Sequence, residues 1–294
     1  MERAGPKGDH VLLKLDHLGE SVIAKRLPGI RESSRIFAGV DPVVEPIPVF
    51  PTAHYLMGGI PTDRFGRVMT PAGGGEDAVP GLYAAGECAC ASVHGANRLG
   101  GNSLLDILVF GRLAGKNIID YVKENPFHRT IDSASLEAAM GRLTRWEQRS
   151  HGPSVHETRE KLTRCMEDHA GVFRTEEIMS EGLDKMKEIR DAFGEVRLTD
   201  HSKVFNTARI EALELDNLIE VAVATMVSAE ARKESRGAHV RDDAPDTPEH
   251  PNGRDDTHWL KHTLGYKDGN RRDYKSVTLR PMSVETIALK KRAY

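Results

Sequence analysis

The stretch HGANRLGGNSLLD, residues 94–106, sets the reading of the whole chain. Arg98 is a permanent cation whose planar fork matches a carboxylate. Small residues and two glycines surround it, and Ser103 and Asp106 stand in the S-x-x-D spacing that predicts a capped helix start. A helix N-terminus carries about half a positive charge and attracts anions. With so little bulk between cation and helix start, the stretch suits something flat and negatively charged. On spacing alone, an ordinary capped helix and an ordinary salt bridge to Arg98 explain the same residues.

Working outward, GLYAAGE predicts a short apolar strand over 82–86 that ends at Gly86–Glu87. Downstream, the helix runs through Leu104, Leu108, Gly111, Gly115 and Ile118. Each glycine costs a helix about 1 kcal/mol relative to alanine, so Gly111 and Gly115 are expected to let the helix approach another backbone. Strand, glycine-rich turn and tightly packed helix follow the grammar of nucleotide-binding α/β folds. Yet GxGxxG and GxxxxGK[ST] are both absent, as are GxSxG and HExxH. The GGGED run at 73–77 leads to Pro80 rather than a helix and is expected to be a loop.

Toward the start of the chain, DHVLLKLDHL alternates like a strand, and SVIAKRLPGIRESSRIFAGV reads as two helical pieces broken at Pro28–Gly29. Pro42, Pro46, Pro48 and Pro51 predict an extended connector. HYLMGGIPTDRFGRVMTP reads as strand, turn at Asp63–Gly66, and returning strand. From about 133 to 236 the pattern becomes amphipathic helices. One carries Leu136, Met140, Leu143 and Trp146, and one opens on a capping box at Ser154 and Glu157. One starts at Glu176–Glu177, and a long one runs from Ile210 to cations at Arg232, Lys233 and Arg236 before Gly237. Residues 238–294 are polar. DDAPDTPEHPNGRDD is expected to be an exposed loop, His258 and His262 to be solvated at helical spacing, and YKSVTLRP to be a final strand.

A net charge of −3 with no basic tract argues against a nucleic-acid partner. Cys88, Cys90 and Cys165 have neither disulfide nor zinc spacing and read as reduced thiols. No apolar run approaches the roughly 18 residues of a membrane span, so the chain itself reads as soluble. Taken singly, His54, His94 and Glu87 are more simply structural than functional.

Together, HYLMGGIPT, GLYAAGECACASVHGANRLGGNSLLD and ESRGAHVRDD, in this order, resemble the flavoprotein subunit of succinate dehydrogenase and fumarate reductase. The resemblance runs over nearly the whole chain. It implies FAD as cofactor and hydride transfer between flavin and a four-carbon dicarboxylate, in electron transport and the tricarboxylic acid cycle. It implies Glu87 on the ribose or adenine side of FAD, and Ser103 and Leu104 at the flavin pyrimidine edge. That edge becomes anionic on reduction, so a helix start there raises flavin electron affinity. His54 and Arg98 match the family's substrate ligands for succinate or fumarate. An iron–sulfur subunit, and through it membrane-anchor subunits, are the implied partners. A peripheral place on the cytoplasmic face of the cell membrane follows.

The family's first strand–GxGxxG–helix unit has no counterpart here, nor has the histidine that attaches FAD covalently in many members. The acid/base arginine is likewise outside this chain, so no catalytic residue is assigned. The expected fold is therefore α/β: a partial FAD-binding domain followed by a helical bundle and a small C-terminal region. The boundaries are 1–52 for the tail of a capping domain and connector, 53–128 for the FAD-domain part, 129–237 for the bundle and 238–294 for the remainder. Such a chain is expected to be inactive without the missing N-terminal half. TPEHPNG, between Asp246 and Arg254, departs from the family pattern and affects only a local loop. L-Aspartate oxidase shares the HGANRL block and stands as an alternative, as does a non-catalytic truncated fragment.

Overall fold

The computed structural model describes residues 10–50, 52–72, 75–147, 149–267, 271–279 and 283–289. The chain divides into two compact units, Met1–Leu56 and Met57–Tyr294.

In the first unit, β1 (Val11–Leu13) pairs antiparallel with β2 (Ile47–Val49). Between them lie α1 (Glu20–Arg26) and α2 (Pro28–Ser33), the latter continuing into a π-helical turn, Ser34–Ala38. The break falls where Pro28 lacks an N–H and takes the first helical position. Ile23 is fully buried. The turn into the proline-rich segment is fixed by Asp41, which accepts from Arg31 Nε at 3.1 Å and Nη2 at 3.0 Å. The fork of Arg31 keeps this carboxyl below the usual range.

In the second unit, β3 (Ile60–Pro61) pairs parallel with β6 (Ala89–Cys90). A hairpin joins β4 (Arg67–Ala72) to β5 (Gly75–Tyr83). Asp63 Oδ1 organises the turn before β4 by accepting from Phe65 and Arg67 N–H groups at 2.9 and 3.0 Å. Two sequence expectations need correction here. Gly75–Asp77 belong to β5 instead of a loop, paired against Thr70–Ala72, while Gly73 and Gly74 lie outside the described residues. The strand expected over 82–86 ends at Tyr83, opposite the first residue of β4, and the chain then turns at Gly86 with φ +80°.

The long α3 (Asn102–Glu124) follows. Its inward stripe is Asp106, Ala114, Asn117 and Tyr121: Tyr83 donates to Asn117 Oδ1 at 3.0 Å, and Tyr121 stacks edge-on with Tyr83. Leu104 and Leu108 on another face are 63% and 68% exposed. The expected role of Gly111 and Gly115 in a close approach is not met among the described residues, since a Cβ on either would meet nothing within 4 Å. The close approach of α3 is at Ala114, whose Cβ lies 2.7 Å from where Gly66 would carry one.

The bundle comprises α5 (Val155–Ala170), α6 (Glu176–Phe193) and α7 (Thr207–Ala231), preceded by the outlying α4 (Ser133–Thr144). Trp146, Leu162, Met179, Met186, Leu215 and Met226 fill its core. The Ser154–Glu157 capping box forms as expected, with Ser154 Oγ accepting from Glu157 N–H at 3.1 Å and Glu157 accepting from Ser154 N–H at 2.7 Å. Gly182 is where the helices crowd: a Cβ there would lie 2.5 Å from the His169 Cβ and 2.9 Å from the Met226 Cε.

α7 stops at Ala231, short of the expected Arg236. A continued helix would carry Glu234 away from the face shared by Arg232 and Arg236, four residues apart. Instead the chain extends and both arginines grip Glu234. His258 and His262 are not on a helix. Asp255 caps a turn at His258, and His262 lies in β7 (Lys261–Gly265), paired with β8 (Arg272–Ser276). The final strand thus covers Tyr274–Ser276 of the expected stretch; residues 280–281 lie outside the described residues.

Candidate functional site

The candidate site is built on the loop from β6 to α3. Glycine is needed at its base. Gly59, at φ +123°, lets β3 reach β6, since a Cβ there would lie 2.6 Å from the Cys88 carbonyl oxygen. The loop contains backbone of positive φ at Ser92, Gly95 and Gly101. Such conformations persist where neighbours hold them, and three contacts do so here. His94 Nε2 lies 2.6 Å from Asp106 Oδ2, tying the loop to the first turns of α3. The Arg98 N–H donates to Met57 Sδ at 3.3 Å. The Ala238 N–H, far along the chain, donates to the Ala96 carbonyl at 3.0 Å.

Asp106 corrects the expected capping pair. It is buried and bonded to His94, while Ser103 is already inside the helix. The cap position is Gly101, left-handed at φ +80°, and no side chain caps α3. Its first turn carries no acidic residue. An uncapped N-terminus without a carboxylate keeps its positive end available to a ligand.

Arg98 lies half-buried in this loop, with Nη1 donating to the Leu99 carbonyl at 3.1 Å. Ser103 is half-buried in the first turn of α3, and Leu104 beside it is exposed. Glu87 is exposed on the tight turn closed by the Ala89 N–H to the Gly86 carbonyl at 2.9 Å. So Arg98, Ser103 and Leu104 share one loop-and-helix start, and Glu87 stands on the turn leading to β6. His54 is exposed in the first unit. These residues suit FAD chemically: an uncapped helix start for an electron-rich ring edge, and a carboxylate on a turn for hydroxyl groups.

Behind Ala96 lies a group of charges that sequence reading missed. Residues Arg236–His239 form a tight turn, with Arg236 N–H donating to the His239 carbonyl at 2.7 Å and His239 N–H returning to Arg236 at 3.1 Å. Glu234 is fully buried, accepting from Arg232 at 2.6 Å, from Arg236 at 2.8 and 3.0 Å, and from the Asp255 N–H at 2.9 Å. Asp256 takes a further bond from Arg236 at 2.7 Å. Burial opposes charge on Arg236, but these carboxylates outweigh it and raise its affinity for the proton.

Arg174 donates to the Ala170 and Gly171 carbonyls at the end of α5 and to His239 Nδ1 at 2.9 Å. His239 Nε2 donates to the Arg232 carbonyl at 3.3 Å. Burial and the facing Arg174 cation lower His239 to about 4, so it is neutral near pH 7. The signal in the sequence was ESRGAHVRDD itself, whose alternating charges lie in no amphipathic helix.

Comparison with known proteins agrees with this layout. Residues 1–104 match the FAD binding domain family, and residues 159–294 match the family described as fumarate reductase flavoprotein C-term. The succinate dehydrogenase flavoprotein subunit of Coxiella burnetii is 49% identical over 289 residues, covering 98% of this chain and 48% of the relative. That of Rickettsia bellii is 46% identical, covering 97% and 47%. A solved structure of a variant E. coli quinol fumarate reductase superposes with a TM-score of 0.80 at 39% identity, covering 97% of this chain and 47% of that one. The chain thus spans about half the length of the curated relatives it matches. No helix among the described residues is long and apolar enough to cross a membrane. The chain belongs to the succinate dehydrogenase and fumarate reductase flavoprotein family, matches its C-terminal portion, and shares FAD as the family's cofactor.

Proposed function

We propose that this chain supplies the dicarboxylate grip and the flavin-edge helix of a flavoprotein subunit that interconverts succinate and fumarate. The observation that carries the reading is the pinned loop 91–101, which sets Arg98 immediately before the uncapped start of α3. Arg98 takes one substrate carboxylate in a bidentate pair, and His54 is carried as a substrate ligand by the family resemblance alone. Positive charge held in place beforehand orients the dicarboxylate and costs no rearrangement during reaction. Ser103, Leu104 and the first N–H groups of α3 face the flavin pyrimidine edge, and Glu87 binds the ribose or adenine side. FAD, when bound, supplies the two-electron chemistry.

The half-subunit reading is supported by α3, which turns a polar stripe inward and leaves Leu104, Leu105 and Leu108 exposed. An aliphatic face of this kind gains about 1.5–3 kcal/mol per large side chain on burial. A further segment with the phosphate-cradling turn covers that face, and electrons leave through an iron–sulfur subunit that attaches the assembly peripherally to membrane anchors on the cytoplasmic side.

The purified chain is expected to be colourless with or without FAD. Mixed with the N-terminal half of a relative and FAD, it is expected to turn yellow and reduce a dye with succinate but not with L-aspartate. Stoichiometric flavin and succinate turnover in the chain alone would refute the dependence on a second segment. Turnover of L-aspartate in place of succinate would overturn the substrate assignment.

A further inference from the structure

We infer that Gly237, at the tip of the Arg236–His239 turn, is a positioning residue for Arg98. The inference rests on the proposed dicarboxylate role of Arg98. The geometry is that of a wedge. Gly237 sits at φ +60° against the backbone of Ala96, and a Cβ on it would lie 2.4 Å from the Ala96 carbonyl oxygen and 2.5 Å from its carbon. The neighbouring Ala238 N–H bonds that same oxygen. Ala96 is two residues before Arg98, in a loop that His94–Asp106 and Met57 hold at other points.

The wedge is backed by a rigid foundation. Arg236 is held by both oxygens of buried Glu234 and by Asp256, and Glu234 is held in turn by Arg232 and the Asp255 backbone. On the other side of the turn, His239 is fixed at both ring nitrogens, by Arg174 and by the Arg232 carbonyl. Arg241, facing the Arg232 carbonyl, is neutralised by Asp243, with Glu176 nearby. These charges stand outside the apolar bundle core. A tight turn built on so many fixed bonds, and ending on the backbone of one loop, sets where that loop lies.

Two readouts test this. In the 294-residue chain, Gly237→Ala is expected to raise amide exchange at least tenfold across residues 91–101, with exchange in the α5–α7 core unchanged. In the subunit assembled with an N-terminal half and FAD, the same change is expected to raise the KM for succinate at least tenfold and kcat less than threefold. Arg236→Lys keeps the charge but loses the fork on Glu234 and Asp256. It is expected to act in the same direction, and it carries the test if Gly237→Ala fails to fold. Loop exchange within twofold of the unsubstituted chain in a folded variant overturns the inference, as does an unchanged KM in an assembled enzyme that turns over succinate. If the unsubstituted assembly shows no succinate turnover, the functional reading fails instead, and the exchange measurement alone decides whether the turn positions the loop.

Discussion

At the scale of single residues, the sequence named the cation but not what holds it. Arg98 between glycines was legible because a permanent charge amid small residues is unusual and because HGANRL resembles a known block. Met57, Asp106, Ala96 and Gly237 were not legible as its supports, because each acts through a backbone or a tertiary contact with no local pattern. Glycine shows the same limit. Gly111 and Gly115 looked like the crowded positions, whereas crowding occurs at Gly182. Gly182→Ala is therefore expected to destabilise the bundle by about 1–3 kcal/mol through overpacking, read as a lower urea midpoint. Gly111→Ala in the same chain is expected to stabilise α3 by up to about 1 kcal/mol, since its Cβ enters open space. If α3 is a docking face, that second variant also weakens assembly with the N-terminal half, which a titration followed by flavin absorbance measures.

At the scale of elements, helices that carry their own start signals were read correctly. The Ser154–Glu157 box stands where spacing put it, and Ser154→Ala is expected to cost about 1 kcal/mol, seen as a lower thermal midpoint. The α3 start was misread because S-x-x-D spacing cannot tell a cap from a buried aspartate claimed by a histidine twelve residues upstream. The end of α7 was misread because cations before a glycine also describe two arginines leaving the helix to hold Glu234. The hairpin β7–β8 was half seen, since its first strand is polar and gains order from Arg232, which donates to the Lys261 and Trp259 carbonyls at 2.9 and 2.6 Å. For α3, Leu108→Lys is expected to raise the solubility of the isolated chain and abolish its assembly with the N-terminal half. Unchanged assembly in a pull-down would show that this face is not the one covered.

At the scale of the whole molecule, family membership was legible from three spaced blocks, whereas the two compact units, Met1–Leu56 and Met57–Tyr294, do not follow the four expected boundaries. How the C-terminal region folds back on the loop of Arg98 was not legible. Its acid sensitivity follows from the charges. His239 has a folded pKa of about 4 and an ordinary unfolded value of about 6.5. Between those values the unfolded chain binds the proton and the folded chain does not, so stability falls as pH drops from about 6.5 to about 4, by on the order of 3 kcal/mol. Arg174, Arg232 and Arg241 face the ring and add to the penalty; Asp243, held near 2 by Arg241, keeps its charge throughout that window and loses its contribution only in stronger acid. Thermal midpoints across pH 4–7 are expected to fall steeply in the unsubstituted chain and more gently in His239→Gln. The bond from Ala238 to Ala96 also bears on the order of folding. Roughly half of the chain lies between the two residues, and contacts so distant in sequence close late during folding. Amides of the Arg98 loop should thus gain protection only after α5–α7 have formed, so that the ordering of this loop reports that the distant C-terminal turn has docked.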